Sequence, residues 1–207
     1  MYRIKYFVDN HPDLFTYLPA HKVHPHDKVV DWLLLRWLPE NITPNRLTVL
    51  RIILTPLVFW LILNEYYRIG SVVFLIAATT DLMDGSLARL KNQITNFGVL
   101  FDPLADKLLI GSMVLLLVFK YFNPWLGLTI LGIEILFIIL ALVYRAKFKT
   151  VHMANLWGKI KMVLQVLATF TVLFALVFNI PDFFTVAAWL FMLAIAFAII
   201  GLFQHGV

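Results

Sequence analysis

Cysteine is missing from all 207 residues, which excludes disulfides and thiolate metal sites while leaving the compartment open. Charge is scarce: Asp, Glu, Lys and Arg make up 14% of the chain against 61% hydrophobic residues, with a mean hydropathy of +0.86. That balance excludes an ordinary soluble globule. No apolar leader core follows Met1 in MYRIKYFVDNHPDLFTY, so the first apolar span is expected to act as its own insertion signal. Low-complexity tracts are lacking, as is an internal repeat of the kind that marks inverted-repeat transporters.

What is present is apolar length. Crossing hydrocarbon takes about 20 mainly apolar residues per helix. The apolar stretches, cut at polar or Pro/Gly interruptions, number six: roughly Leu47–Leu63, Ile69–Leu87, Val99–Phe119, Trp125–Tyr144, Ile160–Phe178 and Phe183–Phe203. The expectation is an all-α integral membrane protein, with six transmembrane helices in a domain over 44–207 and a polar, aromatic segment over 1–43. Within that segment DKVVDWLLLRWLP, Asp27 to Pro39, interleaves Trp32 and Trp37 with charges and suits an amphipathic helix lying in the membrane interface. His21, His24 and His26 could be read as metal ligands, but Pro25 breaks the helical spacing that a ligand set would use.

Orientation follows from the cations, because short loops rich in Lys and Arg stay in the cytoplasm. With a cytoplasmic N-terminus, every Lys and Arg except Arg68 and Lys120 falls on the cytoplasmic side, in clusters before the first span, between the second and third, and between the fourth and fifth. Both termini are therefore expected in the cytoplasm. The net charge of +5 sits mostly in this collar and points to anionic lipid headgroups rather than nucleic acid.

Against that background DLMDGSLARLKNQITNFGVLFDPLAD stands out. Asp81 and Asp84 are three residues apart and Asp102 and Asp106 four apart, so on helices each pair projects from one face. A short connection between the second and third spans would bring the two faces opposite each other at one depth. Four crowded carboxylates near hydrocarbon repel one another and are costly. Divalent cations would relieve that cost, and oxygen donors without His or Cys select Mg²⁺, Mn²⁺ or Ca²⁺ over zinc. Two such ions bridged by carboxylates form a clamp for phosphoryl groups. Gly85 and Ala88 keep the adjoining face low, and Arg89 offers a guanidinium fork to phosphate.

Written out, the stretch is D-x-x-D-G-x-x-A-R, eight residues, then G-x-x-x-D-x-x-x-D, and it resembles the signature of the CDP-alcohol phosphatidyltransferase family. The resemblance implies an integral membrane enzyme that displaces CMP from a CDP-linked lipid, CDP-diacylglycerol, by attack of an alcohol hydroxyl on the β-phosphorus. It implies that Asp81, Asp84, Asp102 and Asp106 ligate two Mg²⁺ or Mn²⁺ ions, with Asp106 as general base. Gly85, Ala88, Arg89 and Thr95 would join Asp81 in the CDP pocket. The prefix TPNRLTVLR, Thr43 to Arg51, is similar to the family's first-span entrance, where Asn45 and Thr48 would cradle the nucleotide. Members of the family are commonly homodimers.

The resemblance further implies an alcohol acceptor, expected to be water-soluble and phosphorylated. ANLWGKIKMVLQ, Ala154 to Gln165, resembles the G-K-x-K stretch of members that make phosphatidylglycerophosphate, which implies glycerol 3-phosphate and places Lys159 and Lys161 against its phosphate. The chain departs from those members in the fourth span, reading Ile133-Glu134 where they carry Arg-Glu. Glu134 and Arg145 are further candidates for acceptor contact. Other acceptors, such as inositol phosphate, serine or phosphatidylglycerol, stay open. So does a different class, a cation transporter lined by intramembrane acids, although a transport site has no evident use for the spacing of Gly85, Ala88, Arg89 and Gly98.

Overall fold

The computed structural model describes residues 17–18, 25–39, 42–148 and 156–204. His21 and His24 of the histidine trio, and most of segment 1–43, lie outside the described residues. Helices dominate: α1 (Pro25–Leu33), α2 (Pro44–Leu63), α3 (Tyr67–Leu90), α4 (Asn96–Tyr121), α5 (Pro124–Phe148), α6 (Leu156–Phe178) and α7 (Asp182–Gln204). The six apolar stretches thus correspond to α2 to α7, each helix running a few residues past its apolar stretch. One exception to the all-helical expectation is a pair of short antiparallel strands, β1 (Tyr17–Leu18) and β2 (Ile94–Thr95), with Tyr17 opposite Thr95 and Leu18 opposite Ile94. The pairing gives hydrogen-bond partners to backbone that the α3–α4 connection leaves outside helices.

Among the described residues, Pro44–Leu63, Tyr67–Leu90, Trp157–Phe178 and Asp182–Gly201 are long and apolar enough to cross a membrane, and Pro124–Leu136 is a shorter apolar helix. α4 is 26 residues long, but Asp102, Asp106, Lys107 and Lys120 interrupt its apolar character. Large side chains including Ile53, Leu57, Trp60, Val72, Leu75, Leu167 and Trp189 stand exposed on these helices. A bilayer is the solvent that suits such surfaces, and the protein is a multi-pass membrane protein.

The chain divides into two compact units, Met1–Leu109 and Ile110–Val207. In the first, α2 begins with Pro44, whose missing N–H costs nothing in a first helical turn. Its buried face repeats at helical spacing through Leu47, Thr48, Arg51, Thr55, Val58 and Ile62. That face packs on α3, where Phe74, Ala77 and Thr80 are buried. Three helix ends close with the same device. Glu65, Asn92 and Asn179 take positive φ, and the following amide reaches back five residues: Tyr66 to Leu61 at 2.9 Å, Gln93 to Ala88 at 2.9 Å and Ile180 to Ala175 at 3.1 Å. Such left-handed caps satisfy the last carbonyls of a helix and reverse the chain tightly.

α1 lies against α3 and is fastened by an apolar cluster of Leu35, Leu47 and Leu87, with Val30, Leu38, Ile42, Met83 and Leu90 around it. Its opposite face presents Val29, Trp32 and Leu33 outward.

In the second unit, α6 and α7 form a hairpin. Small residues are buried along it at intervals of seven, Ala168 and Ala175 on α6 and Ala187 and Ala194 on α7. Small side chains let two membrane helices approach closely, which matters where lipid supplies no hydrophobic drive to association. Phe122 and Phe184, with ring centroids 6.0 Å apart, close one end of this unit.

At Gly70 of α3 a Cβ would lie 2.4 Å from Ile62 Cδ1 and 3.3 Å from Leu61 Cβ, so α2 crosses α3 with no room for a side chain. Gly70→Val is expected to destabilise the detergent-solubilised protein by about 1–3 kcal/mol, read as a lower thermal unfolding midpoint. Gly111→Ala, where a Cβ would meet nothing within 4 Å, serves as the control and is expected to leave the midpoint in place.

Candidate functional site

Three consecutive helices supply most of the clustered polar residues of the first unit. α2 contributes Asn45, Thr48 and Arg51 at intervals of three, so that they climb its buried side turn by turn. α3 contributes Asp81 and Asp84 one turn apart near its C-terminal end. α4 contributes Asp102 and Asp106 near its start. The helical spacing expected for both aspartate pairs is therefore realised.

At the centre lies Arg51, fully buried. Its Nη1 donates to Asp81 Oδ1 at 3.1 Å and to Asp106 Oδ1, its Nη2 donates to Asp84 Oδ2, and its Nε donates to Thr80 Oγ1 at 3.3 Å. One guanidinium fork thus ties both aspartates of α3 to the second aspartate of α4. A planar, delocalised cation with several fixed donors suits such multiple recognition better than an ammonium would. Asp84 is buried, Asp106 mostly so, and Asp81 is 41% exposed, which leaves the cluster open on the Asp81 side.

Asp102 is oriented by a different partner. It accepts a 2.6 Å hydrogen bond from Thr48 Oγ1. Beside it, Thr95 Oγ1 donates to Asn45 Oδ1 at 2.7 Å and accepts the Gly98 amide at 3.1 Å in the first turn of α4. A Cβ on Gly98 would sit 3.3 Å from Asp102 Oδ2, 3.5 Å from Thr95 Oγ1 and 3.6 Å from Asn45 Oδ1. The glycine therefore keeps apolar bulk away from three polar oxygens. Asn45, Thr48, Thr95, Gly98 and Asp102, grouped in the sequence only by resemblance, are contiguous in space.

The four carboxylates differ from the expected metal array in one respect. The point on which Asp81, Asp84 and Asp106 converge is taken by Arg51. Among the described residues, no three acidic or histidine side chains stand in a metal-holding group. The chemistry of the donor set nevertheless fits a hard divalent cation, since four carboxylate groups outnumber the one guanidinium among them and no softer ligand is present.

Arg89 is paired within the chain. Its fork points at α1, where Nε and Nη2 donate to Asp27 Oδ2 and Oδ1 at 2.9 and 2.7 Å, and Ser86 Oγ donates to the same Oδ1 at 2.8 Å. Gly85 lies directly beneath this guanidinium, and a Cβ there would stand 3.4 Å from its Nη1. Ala88 is half-buried on the same stretch of α3.

Two of the four acceptor candidates come together in the second unit. Lys161 Nζ donates to Glu134 Oε1 at 2.6 Å, and Gln165 Nε2 donates to the same oxygen at 3.1 Å. Ile130, Ile133, Ala194 and Ala198 surround this group with apolar side chains. Lys159 is exposed, and the Arg145 side chain lies outside the described residues.

Arg51, Asp27, Ser86, Thr80 and Gln165 were not picked out from the sequence. Arg51 carried a signal, being a cation inside an apolar span on the same helical side as Thr48. Asp27 carried none, since its partner Arg89 is 62 residues away in the chain.

Long apolar helices, with an acid-rich polar cluster on three consecutive ones, define the class: a polytopic membrane protein. Residues 41–200 match the CDP-alcohol phosphatidyltransferase family, and the chain belongs to it. It is 47% identical over 98 residues to a CDP-diacylglycerol–glycerol-3-phosphate 3-phosphatidyltransferase of Pseudomonas fluorescens, covering 44% of this chain and 50% of the relative. It is 36% identical over 141 residues to the Bacillus subtilis protein of the same name, covering 60% and 72%. A Drosophila melanogaster protein named "Probable cardiolipin synthase (CMP-forming)" is 41% identical over 91 residues, covering 42% and 28%. The matched region thus spans about half the length of the first of these relatives. The family is generally dependent on divalent metals.

Removing Arg51 leaves three carboxylates facing one another. Arg51→Ala is expected to cost about 3 kcal/mol or more, seen as a lower thermal unfolding midpoint in detergent. Arg51→Lys should recover only part of that loss, since an ammonium cannot reproduce the fork.

Proposed function

We propose that the protein transfers a phosphatidyl group from CDP-diacylglycerol to glycerol 3-phosphate and releases CMP, a step of phospholipid biosynthesis. The observation that carries this reading is the full match of the aspartate motif, Asp81 to Asp106, within a chain that belongs to this family. The names of the Pseudomonas and Bacillus relatives support the donor and the acceptor together, and the G-K-x-K lysines Lys159 and Lys161 agree with a phosphorylated acceptor. Family membership favours a transferase over a cation transporter.

In this reading the nucleotide lies along the polar lattice of Asn45, Thr48 and Thr95, over the low surface of Gly85 and Ala88, with its pyrophosphate toward Asp81 and Arg89. Asp81, Asp84, Asp102 and Asp106 would hold two Mg²⁺ or Mn²⁺ ions, which when bound neutralise pyrophosphate oxygens and the departing CMP. Asp106 takes the proton of the acceptor hydroxyl. The hydroxyl oxygen bonds to the β-phosphorus as the bond from that phosphorus to CMP breaks. Asp102, held by Thr48, keeps a fixed orientation for this work.

The chain crosses the membrane six times, through α2 to α7, with both termini and the aspartates on the cytoplasmic side. α1 lies in the interface with Val29, Trp32 and Leu33 toward lipid, and the protein functions as a homodimer. A second reading changes only the acceptor, and the Drosophila relative favours it.

Purified protein incubated with CDP-diacylglycerol and Mg²⁺ or Mn²⁺ is expected to release CMP with glycerol 3-phosphate at least about tenfold faster than with inositol phosphate, serine or phosphatidylglycerol, and to stop when the metal is chelated. No CMP release with any acceptor would sink the transferase reading, and a preference for phosphatidylglycerol would move the acceptor to the second. Asp106→Asn should lower kcat by about 10²–10⁴-fold, and near-normal turnover in that variant would remove the base role. Because the chain has no cysteine, single substitutions report topology cleanly. Lys91→Cys should react with an impermeant thiol reagent from the cytoplasmic face and Arg68→Cys from the other, and the reverse pattern would overturn the orientation.

A further inference from the structure

Arg89 belongs to the aspartate motif, yet the structure gives its fork to a residue that the motif does not contain. Asp27 is fully buried in the first turn of α1. Burying a carboxylate is costly unless it is paired and hydrogen-bonded, and here both of its oxygens are engaged. The guanidinium approaches side-on, Nε to Oδ2 and Nη2 to Oδ1, and Ser86 fixes Oδ1 from one helical turn N-terminal to Arg89. The carboxylate therefore has little freedom to turn, and α1 itself is fastened by Leu35 against Leu47 and Leu87.

Two consequences follow for Arg89. It sits near the C-terminal end of α3, and its side chain is 27% exposed, where an unrestrained arginine would sample many rotamers and lose side-chain entropy on being fixed. The bidentate contact removes that freedom in advance. It also uses only two of the five guanidinium donors and holds the group over Gly85, with Nη1 and Nη2 3.4 and 3.6 Å from where a Cβ would stand. Gly85 follows Asp84 directly, so the guanidinium is parked at the edge of the carboxylate cluster with donors remaining.

We propose that Asp27 is a positioning residue that pre-sets the Arg89 guanidinium over Gly85 to receive the pyrophosphate of the nucleotide donor, so that α1 forms one wall of the donor site. This rests on the reading of the site as a CDP-lipid site. Asp27 touches no reacting atom; it acts through Arg89, and the benefit falls on donor affinity, because an ordered arginine loses less entropy when the donor binds.

The test is a comparison of KM and kcat for CDP-diacylglycerol, together with the Kd of CDP, in the wild type, Asp27→Asn, Asp27→Glu, Arg89→Ala and the double variant Asp27→Asn/Arg89→Ala. Asp27→Asn is expected to raise KM and the CDP Kd about tenfold while kcat changes by less than about threefold. Asp27→Glu should restore part of the loss. The double variant should be no worse than Arg89→Ala alone, since both changes remove one interaction. An unchanged KM in Asp27→Asn, a loss confined to kcat, or full additivity with Arg89→Ala would overturn the role of Asp27 while leaving the transferase reading intact. Should Asp27→Asn fail to fold, Ser86→Ala carries the test: about a two- to threefold rise in KM is expected, and an unchanged KM overturns the proposal. Absence of CMP release and of CDP binding in the wild type overturns the underlying reading instead, and the proposal with it.

Discussion

Negative charge gathered at the ends of two helices has to be offset, and the buried guanidinium of Arg51 offsets part of it. Asp81, Asp84 and Asp106 come from two helices and are tied to a third through this one side chain. The interaction makes demands on the rest of the first unit. α2 must lie close enough to α3 for the fork to reach, which Gly70 permits by letting Ile62 and Leu61 press against the α3 backbone. α4 must start close behind α3, which the left-handed Asn92 and the β1–β2 pair secure. An arginine on a buried helix face also explains why threonines flank it. Thr48 takes Asp102, Thr55 caps the Arg51 carbonyl at 2.9 Å, and Thr80 accepts Nε, so few polar groups in this layer are left facing hydrocarbon.

The same economy of polar groups governs both ends of the site. On one side Asn45, Thr95, Gly98 and Asp102 form a continuous run of donors and acceptors. On the other, Asp27 and Ser86 hold Arg89 over Gly85. Each joins residues that lie far apart in the chain. The four carboxylates are thus bordered by two further polar groupings, with motif glycines where a polar group comes close to the backbone.

The second unit is organised by packing. Alanines at intervals of seven bring α6 and α7 together, and polar chemistry is concentrated at Glu134, Lys161 and Gln165. A carboxylate met by an ammonium and an amide among Ile130, Ile133, Ala194 and Ala198 is a satisfied group in apolar surroundings, as a membrane interior requires. Ile133 adds no competing charge to that pair.

Apolar length and helical period are local properties, and these were legible in the chain. The six apolar stretches became α2 to α7, the spacings 81/84 and 102/106 became one-turn pairs, and the motif led to the family. Ion-pair partners are not local. Which cation would enter the acid cluster depended on α2 packing on α3, so Arg51, 30 to 55 residues from its carboxylates, read in the sequence as one more charge of the cytoplasmic collar. The partner of Arg89 depended on α1 folding back onto α3 across 62 residues, and no periodicity within either segment encodes that return. The sequence by itself determined the apolar helices, the one-turn spacing of the aspartate pairs and the family. Only tertiary packing decided which charged residues neutralise one another, because a buried charge takes its partner from whatever the fold brings within hydrogen-bond reach.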